Sequence, residues 1–119
     1  MQDYRELKVW QKAHQITLAL YKVSQRFPRS ELYGLTSQIR RSSSSIPSNI
    51  AEGSVQESDM QYRRYLQVAL GSAAELDYQI LLAHELEYVD AATYSRLQSE
   101  IDQIKKMLTS FIRKLKPPA

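Results

Sequence analysis

Apolar positions recur along this chain at steps of three and four in four segments separated by short polar breaks, the signature of amphipathic helices. In the first, about residues 7–27, Val9, Ala13, Ile16, Leu20, Val23 and Phe27 share a face, Leu7, Trp10, Leu18 and Tyr21 lie beside it, and Pro28 stops the run. The second, about 31–53, carries Leu32, Leu35, Ile39, Ile46 and Ile50; Ser30 is placed as its N-cap and Glu31 in its first turn. The third, about 59–87, carries Tyr62, Tyr65, Leu66, Ala69, Ala73, Leu76, Ile80 and Ala83, and Ser58 with Gln61 has capping-box spacing at its start. The fourth, about 91–116, runs Tyr94, Leu97, Ile101, Ile104, Leu108, Phe111, Leu115, with Asp90 to cap it and Pro117 beyond. Four helices with short connections predict one all-α domain over residues 1–119, an antiparallel up-down-up-down four-helix bundle.

The second segment is unusual. Gln38 to Gly53 holds four consecutive serines and a proline, yet its apolar register continues through them, which argues against a disordered serine-rich linker. Serine is a middling helix former, so the run needs a reason. Ser42 and Ser43 share the isoleucine face, where small side chains let another helix approach, and Gly71 to Ala74 is a second small run on the helix expected opposite. Pro47 has no N–H and its ring crowds the carbonyl of Ser43, so a bend near Ser43 to Pro47 is expected, with serine hydroxyls satisfying the freed backbone groups. Asn49 reads as a local backbone satisfier and Gly53 as a helix stop.

Arg-Arg-Ser-Ser-Ser-Ser-Ile-Pro-Ser-Asn-Ile-Ala-Glu-Gly carries a further signal, with Leu-Tyr-Gly-Leu-Thr-Ser-Gln upstream, Leu-Lys-Val-Trp-Gln-Lys-Ala near the start and Ala-Leu-Gly-Ser-Ala-Ala-Glu-Leu-Asp later. From about Tyr4 to Leu115 the chain resembles the four-helix-bundle family encoded in intervening sequences of bacterial 23S ribosomal RNA genes. That family is also similar to the accessory variability protein of diversity-generating retroelements, a basic homopentameric bundle that associates with a reverse transcriptase and nucleic acid. The resemblance implies the fold, a ring-like pentamer, and a structural motif at Ser43, Pro47, Asn49, Glu52 and Gly53. It implies no activity, since none is established for the intervening-sequence proteins.

Composition narrows the classes. The 119 residues include no cysteine, which removes disulfides and thiolate metal sites. The charged start lacks the apolar core of a signal peptide, and no uncharged run reaches the roughly twenty residues that span a bilayer, so a soluble cytoplasmic protein without membrane contact is expected. Net charge is only +3 but segregated. Basic residues dominate up to Arg64, acidic ones from Tyr65 to Ile104, and beyond Ile104 there are no acids at all. In an up-down-up-down bundle Lys8, Lys12, Arg63, Arg64, Arg113, Lys114 and Lys116 gather at one end, and Glu85, Glu87 and Asp90 lie at the other, partly offset by Lys22, Arg26 and Arg29.

Reaction chemistry finds little support. His14 and His84 follow Gln11 and Leu81 at the spacing where a di-iron bundle needs glutamate, and His84-Glu85 lacks the second histidine of a zinc-protease helix. No serine has a lysine three residues on, no Gly-x-Ser-x-Gly elbow occurs, and Gly34, Gly53 and Gly71 are too far apart for a phosphate loop. No enzyme, metal or cofactor is expected. Glu52 and Glu75 read as buried or loop-tying hydrogen-bond acceptors. What remains is charge: Arg40 and Arg41, Arg63 and Arg64, and Lys105 and Lys106 form basic pairs on three helices, suited to phosphate. The competing reading is solvated surface, with Arg41 tied to a carboxylate inside the bundle. Leu70, Ala74, Tyr78 and Leu81 make a second apolar side on the third helix, read as a self-association surface. Two functional expectations follow: an oligomeric, non-catalytic RNA-binding bundle, or a protein–protein adaptor with no nucleic-acid affinity.

Overall fold

The computed structural model describes residues 3–115. A 3-10 turn at Tyr4–Glu6 leads into α1 (Lys8–Ser24), a second at Arg29–Glu31 precedes α2 (Leu35–Ser54), and α3 (Asp59–Glu85) and α4 (Ala91–Lys114) complete the chain. Among the described residues there is no strand. Each helix packs on its neighbours in sequence and α4 closes back on α1, with the diagonal pairs standing farther apart, which is the up-down-up-down order. The bundle measures 47 × 25 × 24 Å. Its α2–α3 side is the most extensively packed and its α1–α4 side the least.

Two of the expected caps form. Ser58 Oγ accepts from Gln61 N at 3.2 Å, and Asp90 Oδ1 accepts from Thr93 N at 2.8 Å, each satisfying a donor the first helical turn leaves free. The start of α2 differs. Ser30 lies in the 3-10 turn and Gly34 is the N-cap residue, while Glu31 Oε1 reaches forward to accept from Leu35 N at 3.2 Å. Tyr88 donates its hydroxyl to Glu31 Oε2 at 3.0 Å, so one carboxylate joins the start of α2 to the end of α3. Leu32, expected on the apolar face, is therefore outside the helix and half exposed.

Helix ends also depart by a few residues. α1 stops at Ser24, and Phe27 instead folds back to a buried position with its ring 5.4 Å from that of Tyr88. α3 stops at Glu85, closed by Tyr88 N to Ala83 O and Glu87 N to His84 O, with Glu87 in the left-handed region at φ 66°. These two bonds are a Schellman closure with glutamate where glycine is usual. The expected end of α4 at Lys116 and Pro117 lies outside the described residues.

The predicted set supplies most of the core, but Val23, Tyr62, Tyr65 and Tyr94 stay only half-buried and Val89 joins it. Ile16, Leu20, Ile39, Ile46, Ile50, Leu66, Leu76, Ile80, Leu97, Ile101, Ile104 and Leu108 are fully buried. In the last turns of α4 it is Ile112 that is buried, while Phe111 turns aside to meet Tyr62 edge-on at 5.2 Å.

α2 runs without a break through Pro47, which is buried. The residue that answers the missing N–H is Thr17 on α1, not a serine: its hydroxyl lies 3.0 Å from Ser43 O and 2.7 Å from Ala13 O, sharing one proton between them. The serines do other work. Ser43 and Ser44 donate to carbonyls three residues back, Ser42 donates to Gln79 Oε1 at 2.5 Å, and Ser45 meets the hydroxyl of Ser72 at 2.8 Å. Small residues thus face small ones across α2 and α3, through Ser45, Ser72 and Ala73 rather than through Gly71, which is exposed. Gly53 is buried inside α2, one residue before its end, and has no positive φ. It is there for closeness: a Cβ would stand 2.8 Å from Tyr62 Cδ1 and 3.0 Å from Tyr65 Cβ.

Candidate nucleic-acid interface

Each of the three basic pairs is split by the fold. Arg40 extends from α2 to the end of α1, where Nε donates to Ser24 Oγ at 2.9 Å and Nη2 to Tyr21 O at 3.3 Å, with the guanidinium 4.9 Å from the centre of the Tyr21 ring. Arg63 does the same from α3 to the end of α4, donating to the carbonyls of Ile112 and Leu115, the latter at 3.2 Å. A cation beside the C-terminal carbonyls stabilises a helix end through both its hydrogen bonds and the helix dipole. Lys105 forms an ion pair with Asp77 at 3.3 Å across α3 and α4. The second members, Arg41, Arg64 and Lys106, are exposed. Arg41 is therefore not held by a carboxylate within the bundle.

Lys106 stands where two surface grooves meet. One, of about 480 Å³, lies between α1 and α4 with Leu7, Val9, Met107 and Phe111 along it and Lys8, Lys106 and Lys114 at its rim. The other, of about 400 Å³, runs between α3 and α4, where Leu70 lies beside Lys105, Lys106 and Arg113. Neither is lined by an acidic residue. The apolar side chains on their floors are buried or half-buried, with the cations around them. Sequence order placed Lys8, Arg113 and Lys114 at one end of the bundle, and Arg63 bonding to the last turn of α4 fixes that arrangement. The meeting of Lys8 with Lys106 and Lys114 across the α1–α4 seam had no local signal, since the partners are nearly the whole chain apart.

The remaining candidates fall as follows. Tyr78 is 61% exposed and Leu81 36%, Ala74 is exposed and Leu70 half-buried, so the second apolar side of α3 faces outward. Asn49 Nδ2 donates to Ser45 O at 2.8 Å and Ser45 Oγ at 3.0 Å within α2. Glu52 and Glu75 are both exposed, contrary to the buried or loop-tying roles expected of them, because their helix positions point away from the α2–α3 contact. His14 stacks on Trp10 at 4.9 Å; His84 stacks on Tyr94 at 4.6 Å with Nδ1 2.9 Å from Val89 O. Among the described residues no group of three or more His, Cys, Asp or Glu could hold a metal ion, and no helix is long and apolar enough to cross a membrane.

Architecture and surface together define an antiparallel four-helix bundle with cation-rimmed grooves beside its last helix. The family model described as 23S rRNA-intervening sequence protein matches residues 5–110, and the chain belongs to that family. A crystal structure from Bacteroides thetaiotaomicron VPI-5482, described as a protein with unknown function from the S23 ribosomal protein family, is similar at a TM-score of 0.83 and 25% sequence identity, covering 89% of this chain and 99% of that one. No curated protein matches.

Proposed function

We propose that this protein is a non-catalytic, self-associating bundle that binds RNA through the basic surface at the C-terminal half of α4. The observation that carries the reading is the ring of Lys8, Lys106 and Lys114 around an apolar groove with no carboxylate among its lining residues. Cations without an acidic neighbour keep their charge available for phosphate, whereas Arg40 and Arg63 are bound to helix ends and Lys105 is paired with Asp77. Self-association supports the same reading, because a symmetric assembly repeats each weak contact and raises avidity; a pentamer is the number the family resemblance suggests.

The test is binding of nuclease-treated protein to a labelled structured RNA over a salt series, with a Lys106→Glu/Lys114→Glu variant alongside. Affinity is expected to fall steeply with salt, and the variant to bind more weakly with a log–log slope about two units shallower. Absence of binding at low salt, or a flat response identical in both proteins, overturns the reading and turns attention to the exposed apolar side of α3 as a surface for another protein.

A further inference from the structure

Resting on that reading, we infer that the α1–α4 seam continues the basic surface along the bundle as a trough for one strand of RNA, centred on Lys22 and Arg96. A cavity of about 280 Å³ near the start of α4 is lined by Lys22, Arg26 and Arg96. It shares Lys22 and Arg96 with a second cavity of about 440 Å³, which in turn shares Gln15 and Glu100 with a small hollow at Lys12. The hollows therefore form one path from the α3–α4 loop toward the groove of Lys8, Lys106 and Lys114 on the same seam.

Charge is what separates this seam from an ordinary helix contact. Lys12, Lys22 and Arg26 on the α1 side meet Arg96 on α4, and Lys8 meets Lys106 and Lys114, against only Glu100 and Asp90. Asp90 caps α4, its carboxyl held below the usual range by the Thr93 N–H and, more weakly, by the charge of Arg96. Among the described residues no ion pair crosses this seam, whereas Lys105 and Asp77 bridge α3 to α4 at 3.3 Å. Like charges lining one seam repel, and α1–α4 is the least extensively packed side of the bundle. A phosphodiester chain laid along the trough would neutralise that repulsion.

The shape favours a single strand. The path is a chain of local hollows, of about 280 and 440 Å³, which suit unpaired nucleotides better than the continuous face of a duplex. From Lys8 to Lys22 the cations extend about 21 Å at the helical rise, the length of a short run of nucleotides. Leu18, 53% exposed, and Ala19 flank the path and offer apolar surface to unpaired bases, which a duplex keeps stacked inside.

Fluorescently labelled decauridylate and a ten-base-pair RNA duplex are the probes, each titrated against the wild type, Lys22→Glu/Arg96→Glu and Lys106→Glu/Lys114→Glu, with melting curves to show that all three proteins fold. The seam variant is expected to lose about tenfold or more in affinity for decauridylate and less than about twofold for the duplex. Decauridylate binding that survives the seam variant, or equal losses of both probes in both variants, overturns the trough while leaving RNA binding by the α4 surface intact. If neither probe binds the wild type at low salt, the functional reading fails with it. A second measurement needs no RNA: Lys22→Gln/Arg96→Gln relieves the repulsion, so its Tm should rise at low salt and approach the wild-type value at high salt. A lower Tm would mean that intramolecular partners hold these cations, which also overturns the inference.

Discussion

Replacing Thr17 with valine keeps the side-chain volume and removes one hydroxyl. That hydroxyl donates to the carbonyl of Ser43, the group that Pro47 leaves without its helical partner. Thr17→Val should cost about 1–3 kcal/mol in chemical denaturation, the penalty of a buried acceptor left unpaired, and Thr17→Ser should recover most of it. In a Pro47→Ala background, which returns an N–H to the helix, the loss should be smaller; an unchanged loss in that double-mutant cycle would separate the two residues. Tyr88 offers a pH handle. Its hydrogen bond to Glu31 raises the phenol above its ordinary value near 10, with desolvation and the carboxylate's charge acting in the same direction. A pKa raised by folding contributes stability that is present below the unfolded value and lost as pH rises through the folded one. Stability should therefore fall on the alkaline side of pH 10, and Tyr88→Phe should flatten that limb.

At the level of helices, the ends are held by their neighbours as much as by their own sequence. α1 ends under Arg40 and α4 under Arg63, an arginine from an adjacent helix in each case. Arg63→Ala should cost about 1.5–3 kcal/mol, the range for hydrogen bonds from a charged donor, and amide exchange should accelerate in the last turn of α4 before anywhere else. RNA affinity measured below the unfolding range should change far less than in Lys106→Glu/Lys114→Glu. An equal loss of affinity would mean that Arg63 also contacts phosphate. The α2–α3 pair rests on a different device, small side chains and Gly53 admitting the rings of Tyr62 and Tyr65. Burial of Tyr62 there raises its phenol pKa.

For the whole molecule, self-association turns on the outward side of α3. A monomeric bundle leaves Tyr78 and Leu81 in water next to Ala74, and Leu70 sits beside Lys105, Lys106 and Arg113 in the α3–α4 groove. Association through this side would bring basic groups of neighbouring copies together. Light scattering should give a molar mass several times the 13.8 kDa of one chain, and Tyr78→Asp/Leu81→Asp should lower it toward that value while far-ultraviolet circular dichroism stays helical. A wild-type mass equal to one chain would refute self-association.

The sequence by itself determined the number, type and order of the helices, most of the buried apolar positions, and the caps at Ser58 and Asp90. These are local properties: apolar residues three and four apart share a helix face, and a cap reaches its donor three residues on. Segregated charge along the chain also determined that basic residues would gather at one end. Only the tertiary structure decided which cations are spent. Arg40 and Arg41 look alike in sequence, yet one is bound to the end of α1 and the other is exposed, because the distinction depends on a helix packed alongside. The same holds for Thr17 answering Pro47, for Gly53 being a point of closeness rather than a stop, and for Lys8 joining Lys106. Their partners lie many residues away, at distances over which spacing in the sequence carries no geometric information.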